Sequence, residues 1–305
     1  MTAMSYLASS HESRPLGKSG FSVSPIAWGM WRFAGRDVNA AHALVEAAFA
    51  AGVTLFDTAD IYGADDPAGF GSAEALLGEV FKADPSLRDK MVLASKGGIW
   101  IGVPYDSSAA YITSAIDASL TRLGVERIDL WQIHRPDILT HPAEVAATLE
   151  AAHKAGKIGA IGVSNQTVAQ TNALQSYLSM PIVTDQPEFS ALALDPLTNG
   201  IMDASMMNDR AVMAWSPLAG GQLATPTDDR AKAVCALLDA KAAEYDVSRS
   251  AAAYSWIMAH PAKPIPIVGT QNLERIADIP NAFTPRWTRS DWYAVLVASM
   301  GEPLP

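Results

Sequence analysis

Eight short apolar runs, separated by helical stretches in one undivided chain, constrain the fold of this sequence more than any other feature. The runs are Ile26–Gly29, Thr54–Asp57, Met91–Lys96, Ile128–His134, Ala160–Asn165, Val183–Gln186, Ala211–Trp215 and Ile265–Gly269. Each has the length of a buried strand. Between them lie amphipathic segments. In Ala109–Gly124, for example, Ile112, Ile116, Leu120 and Leu123 recur at helical spacing, and Gly124 follows as a C-terminal cap. The same reading predicts helices over Asn39–Ala51, Ser72–Lys82, Pro142–Ala155, Thr167–Ser179, Asp229–Tyr245, Ser248–His260 and Arg289–Met300. Strands alternating with helices over 305 residues, with no linker, predict an α/β fold closed into a (β/α)8 TIM barrel. Ahead of it, Arg14-Pro15-Leu16 and Phe21-Ser22-Val23 flank Gly17-Lys18-Ser19-Gly20, the pattern of a β-hairpin. The domain expected is a single one over 14–305, with extra helices at its C-terminal end. Residues 1–13, polar and small, are expected to be mobile.

Composition narrows the function classes. A net charge of −10 argues against a nucleic-acid or anionic-membrane partner, because both require basic patches. The single cysteine, Cys235, allows neither an internal disulfide nor a thiolate zinc cage. No His/Cys/Asp group has ligand spacing, so no metal is expected. The first 13 residues carry no Lys or Arg and no long apolar core, so no signal peptide is expected there. No stretch has the length of a membrane span. The protein expected is soluble and cytoplasmic.

The ends of the strands carry the chemistry. Asp57 ends the second run, Lys96 the third, His134 the fourth, Ser164-Asn165 the fifth, Gln186 the sixth and Trp215 the seventh. Residues two apart on a strand share a face. Val92, Ala94 and Lys96 therefore point together, as do Ile128, Leu130, Gln132 and His134. The same rule groups Ile161, Val163 and Asn165, and Ala211, Met213 and Trp215. One polar or aromatic group thus crowns each apolar stack at the C-terminal mouth, where barrel enzymes hold their active sites. Trp131 alternates away from His134 and is expected against a helix; Trp256, Trp287 and Trp292 are expected in the core.

With these residues in view, the chain resembles the aldo-keto reductase family from about Arg14 to Trp292. The resemblance rests on Phe56-Asp57-Thr58-Ala59-Asp60-Ile61-Tyr62-Gly63, Ala94-Ser95-Lys96 and Gln132-Ile133-His134-Arg135-Pro136-Asp137. It continues through Ile161-Gly162-Val163-Ser164-Asn165, Trp215-Ser216-Pro217-Leu218 and Ile265-Pro266-Ile267-Val268-Gly269-Thr270. It implies reduction of aldehydes or ketones by NAD(P)H, with alcohol oxidation as the reverse. Tyr62 would be the general acid, with its pKa lowered by Lys96, and Asp57 would hold Lys96 charged. His134 would orient the carbonyl and, depending on its tautomer, help to move the proton. The hairpin would plug the bottom of the barrel.

The resemblance also implies cofactor contacts. Ser164, Asn165 and Gln186 would bond the nicotinamide carboxamide beside Asp57. Trp215 would stack on the nicotinamide, where the family most often has Tyr or Phe. Met30 and Trp31 would border the cofactor. Ser216, Pro217, Leu218, Gly220 and Gln222 would cover the pyrophosphate, and Gly269, Thr270, Gln271 and Asn272 would meet the adenosine end. Thr270, amide donors from Gln271 and Asn272, and Arg275 would favour NADP(H), although Gly269 stands where the family often has a basic residue. NAD(H) is the alternative cofactor. No Gly-x-Gly-x-x-Gly run follows a strand, so no Rossmann domain is expected. Trp31 and Trp100, with Met30 and Leu218, would make an apolar substrate wall, suiting hydrophobic carbonyls better than sugars. The partner expected is a small carbonyl or alcohol, on a monomer or small homo-oligomer. Two other classes share such a site: a cofactor-binding regulator or sensor with slow catalysis, and a barrel lyase using Lys96 as a Schiff-base nucleophile.

Overall fold

The computed structural model describes residues 6–304. Eight strands, β1 (Ala27–Gly29), β2 (Leu55–Asp57), β3 (Val92–Gly97), β4 (Ile128–Ile133), β5 (Ile158–Ser164), β6 (Ile182–Gln186), β7 (Ala211–Ala214) and β8 (Ile265–Val268), close into a barrel. Each pairs in parallel with its sequence neighbours, and β8 pairs with β1. Every strand lies on one of the eight apolar runs. The expected helices form within a few residues of their predicted ends, apart from Thr167–Ser179, which is helical only over Val168–Gln175. Local chemistry sets these limits. Ser108 caps Ala109–Leu123 by accepting from the Tyr111 N–H, and Gly124 ends that helix in a left-handed conformation. Thr167 and Gln170 form a capping box, as do Thr288 and Asp291 before Arg289–Met300. Helix Ile201–Asn208, between β6 and β7, has no sharp apolar periodicity and escapes the sequence reading.

Inside the barrel, Ala27, Leu55, Val92, Ala94, Leu130, Ala160, Val183, Ala211, Met213, Ile265 and Ile267 form one core. The hairpin of Arg14–Pro15 and Ser22–Val23 adds Leu16 and Val23 to that core and plugs its lower end. Burying two such side chains contributes roughly 1.5–3 kcal/mol each. Gly17 makes the plug fit, because a Cβ there would lie 2.3 Å from the Val183 carbonyl oxygen. A second core lies between barrel and helices and includes Trp28, Phe56, Leu93 and Trp131. A third contains Trp256, stacked on Trp292 at 4.7 Å, and Trp287.

Three expectations need correction. Leu7–Ala8, placed by the sequence in a mobile segment, pairs antiparallel with Arg286–Trp287; residues 1–5 lie outside the described region. Ile161 and Val163 face the outer core rather than the barrel axis, and Ile128 packs there too. On β5 the axis belongs to Ala160 and Gly162. A Cβ at Gly162 would meet Thr184 Oγ1 at 2.0 Å and Gln132 Cγ at 2.9 Å, so only glycine leaves room for those polar side chains. Residues 99–105, left as loop by the sequence, form a short hairpin of Ile99–Trp100 and Val103–Tyr105 beyond β3.

Candidate active site

A polar layer closes the upper end of the barrel. Asp57, Lys96, Gln132, Thr184 and Gln186 are all buried at the strand ends. Lys96 Nζ donates to Asp57 Oδ2 at 2.6 Å and to the Thr58 carbonyl at 2.7 Å. The other Asp57 oxygen accepts from Gln186 Nε2 at 3.0 Å and Gln132 Nε2 at 3.2 Å. Thr184 Oγ1 in turn donates to Gln132 Oε1 at 3.2 Å. A buried ion pair persists when further hydrogen bonds hold it, and here the Thr58 carbonyl, Gln186 and Gln132 supply them. Gln132, to which the sequence argument gives a face but no role, is a member of this network.

Tyr62 and His134 stand above this layer. The Lys96 ammonium lies 4.7 Å from the centre of the Tyr62 ring, and the Tyr62 and His134 rings are 5.8 Å apart, edge to face. Burial pushes the Tyr62 phenol above its ordinary value; Lys96 pulls it down and Asp57 pushes it up. The expected lowering by Lys96 is therefore present, but burial outweighs it. Burial also opposes the Lys96 charge, yet Asp57 and Tyr62 together hold its pKa above the ordinary value. Lys96 stays an ammonium, which is no Schiff-base nucleophile. His134 is driven well below its ordinary value by burial, then by Lys96 and Arg135, so its imidazole is neutral. Among the described residues, its Nδ1 has no hydrogen-bond partner.

The expected cofactor residues separate into three groups. The first is assembled beside Tyr62 and His134. Trp215 is half-buried, and its Nε1 donates to Asn165 Oδ1 at 2.9 Å. Asn165 turns to the mouth because its backbone is left-handed at φ 57°, and its Nδ2 donates to the His134 carbonyl and to Ser164 Oγ. Ser164 Oγ donates to the Gln186 carbonyl at 2.8 Å. Trp31, 57% exposed, meets the Tyr62 ring edge to face at 5.0 Å.

The second group is a loop after β7. Ser216 has φ 53° and its Oγ accepts from the Gly220 N–H at 2.7 Å. Gly220 and Gln222 are exposed and Leu218 half-buried, while Pro217 is buried. The third group follows β8. Nothing would lie within 4 Å of a Cβ built at Gly269, so this place is open. Arg275 is exposed and makes no ion pair with Asp278, whose carboxylate accepts from Ser248 and Asn281 instead.

Several assignments are corrected. Met30 is fully buried in the outer core, since alternation from Trp28 turns it away from the axis, so its side chain borders no pocket. Gln271 is not free to donate outward: its Nε2 donates to the Gly29 carbonyl at 3.3 Å and its Oε1 accepts from Arg36 at 3.1 Å. Asn272 is spent as the cap of a five-residue helix, Leu273–Ala277. Trp100 sits on the 99–105 hairpin, packed against Phe70 and Tyr111. The mouth is also not an apolar wall, because Arg135 and Glu188 stand in it half-buried. A surface cavity of about 1000 Å³, lined by Phe21, Arg88, Arg127 and Asp129 among others, lies apart from these groups. Its lining gathers none of the strand-end chemistry.

Barrel, plug and polar strand ends together define the class. The chain belongs to the aldo-keto reductase family, whose profile matches residues 25–295. It is 57% identical to the 6-dehydroglucose reductase of Novosphingobium aromaticivorans, over 96% of this chain and 97% of that protein. It is 38% identical to the 6-dehydroglucose reductase of Agrobacterium fabrum, over 92% and 95% of the two chains. A thermostable aldo-keto reductase crystallised with the inhibitor epalrestat superposes with a TM-score of 0.80 at 21% identity, covering 94% of this chain and 99% of that one. Among the described residues, no helix is long and apolar enough to cross a membrane.

Proposed function

We propose that this protein reduces the aldehyde of a sugar-like substrate with NAD(P)H, and that 6-dehydroglucose is its first candidate substrate. The observation that carries the reading is the buried Asp57–Lys96 pair directly beneath the Tyr62 phenol, with neutral His134 alongside. Full-length similarity to two 6-dehydroglucose reductases supports the substrate class.

Tyr62 gives its proton to the carbonyl oxygen and regains one from solvent. Lys96 stabilises the phenolate that forms, because its positive charge lies 4.7 Å from the ring centre and both side chains are buried. Asp57, Gln132 and Gln186 keep that ammonium in one position. His134, being neutral, orients the carbonyl by donating its ring N–H to the carbonyl oxygen, and lacks the second proton with which an imidazolium would act as an acid at neutral pH. A reduced nicotinamide, when bound, supplies the hydride to the carbonyl carbon. The residues fit such a group: Trp215 offers a fixed π-face, Ser164, Asn165 and Gln186 surround it with polar atoms, and the places at Gly220 and Gly269 are open. Arg275 supplies a cation toward a 2′-phosphate, which favours NADPH over NADH modestly.

The test is a titration of tryptophan emission with NADPH and NADH, followed by turnover with 6-dehydroglucose and simple aldehydes. Quenching by the reduced cofactor, its loss in Trp215→Ala, and consumption of cofactor with the sugar aldehyde are expected. Quenching without turnover of any aldehyde would instead mark a cofactor-binding sensor.

A further inference from the structure

Two charged side chains at the mouth, Arg135 and Glu188, have no hydrogen-bond or ion-pair partner among the described residues. Arg135 directly follows His134, is half-buried, and lies over the Trp215 ring with Cζ 5.6 Å from its centre. Among the described residues its guanidinium makes neither a hydrogen bond nor an ion pair. It stands on the reacting side, since its charge lowers the titrations of both Tyr62 and His134. Glu188 lies two residues beyond Gln186 and so shares its face, and its backbone is bridged in parallel to Trp215. It too is half-buried, with no hydrogen bond or ion pair among the described residues. Burial pushes its carboxyl up, Arg135 opposes this, and Asp195 adds to the rise.

These two groups bring five N–H donors and two acceptor oxygens to the approach to Tyr62. In the open mouth water satisfies them. A substrate entering the site displaces that water, and any donor or acceptor it fails to replace is left unpaired at a cost. An alkyl aldehyde replaces none. A chain of hydroxyls replaces both kinds, because each hydroxyl accepts from a guanidinium and donates to a carboxylate. Trp31, exposed beside the Tyr62 ring, gives an apolar face for the C–H edges of such a chain.

We propose that Arg135 and Glu188 are the hydroxyl-reading pair of this site, selecting aldehydes that carry adjacent hydroxyls over alkyl aldehydes of the same length. The inference rests on the reductase reading above and assigns the residues that set its substrate class. The Trp215 ring has two faces, so the guanidinium and a nicotinamide can share it. Both residues are specificity-determining rather than proton-transferring.

The experiment compares kcat/KM for 6-dehydroglucose and for hexanal, two six-carbon aldehydes, at saturating reduced cofactor. It uses the wild type, Arg135→Met and Glu188→Gln, with Arg135→Lys replacing Arg135→Met if the latter does not fold. Lysine keeps the charge but loses the planar fork, so the same direction of change is expected from it. The ratio of sugar to alkyl aldehyde is expected to fall about 10- to 100-fold at Arg135 and about 10-fold at Glu188, chiefly through KM for the sugar. A loss shared equally by both aldehydes is what a purely structural role would give, and it overturns the inference. Ratios within about twofold of wild type overturn it as well, while leaving the reductase reading intact. A wild type that reduces neither aldehyde overturns both.

Discussion

At its lower end the barrel is closed by Leu16 and Val23, two aliphatic side chains on a hairpin; at its upper end it is filled by Asp57, Lys96, Gln132, Thr184 and Gln186. Both sets of side chains are buried, the lower set on a hairpin outside the barrel and the upper set on the barrel strands themselves. The lower end gains stability from every atom it buries. The upper end buries a full positive and a full negative charge, which two hydrophobic side chains of similar volume would replace at little loss or even a gain in stability. In the proposed function such charges are explained by what they do to Tyr62 above them, not by what they add to the fold. Mutations at the two ends should therefore separate activity from stability.

The largest effect is expected at the top. Tyr62→Phe should lower kcat by about 10²- to 10⁴-fold, with cofactor affinity nearly kept, because the phenol acts on the proton and not on the dinucleotide. A variant retaining more than a tenth of wild-type kcat removes Tyr62 from the chemistry. Lys96→Met should match that loss and move the alkaline limb of the pH profile upward, since Lys96 is what pulls the phenol down.

At the bottom, Leu16→Ala should destabilise the fold by about 2–5 kcal/mol in denaturant unfolding and leave KM values near wild type. A kinetic defect at that end in a folded variant would break the comparison.

A third, smaller change concerns Asp60, in the same loop as Tyr62 but turned away from the axis toward Tyr111, whose hydroxyl donates to Asp60 Oδ2 at 3.0 Å. Burial, then the charge of Glu74, pushes its carboxyl up to about 7 from an ordinary 3.8. Between those values the native state keeps a proton that the unfolded chain has released. The stability Asp60 contributes is complete below about pH 4 and is lost as pH rises to about 7. Asp60→Asn, neutral at every pH, should accordingly gain Tm relative to wild type at pH 8 and lose that advantage at pH 4. An equal difference at both pH values would show that Asp60 does not hold its proton.

The smallest effect is expected at Arg275. Arg275→Ala should weaken NADPH more than NADH by several-fold, and added salt should erode the difference, because the side chain is exposed. Equal dissociation constants that ignore the substitution would remove Arg275 from the cofactor site.

The barrel was legible because β-strand and helix periods differ and because six of the eight apolar runs end on a polar or aromatic residue. The four central groups, Asp57, Tyr62, Lys96 and His134, were legible for the same reason: they sit at strand ends or on the loop that follows one. What the sequence misplaced turns on geometry that alternation alone does not carry. On β5 the small Ala160, not the bulky Ile161 and Val163, points to the axis, which apolar alternation alone does not reveal, and Asn165 reaches the mouth only through its left-handed backbone. Met30 was misread because a residue one past a strand end keeps the strand's alternation. Arg135 lies within the motif that begins at Gln132 but was given no role, Glu188 lies in no motif, and only the fold brings both beside Trp215.

The most direct measurement of the central claim follows the hydride itself. Wild-type protein is given 6-dehydroglucose and NADPH carrying deuterium at the transferable nicotinamide position, and the product is analysed by mass and NMR. The account predicts glucose with one deuterium at C6, formed in step with oxidation of the cofactor and absent with Tyr62→Phe. Cofactor oxidation without deuterium at C6, or equal labelling by Tyr62→Phe at wild-type rate, would contradict it.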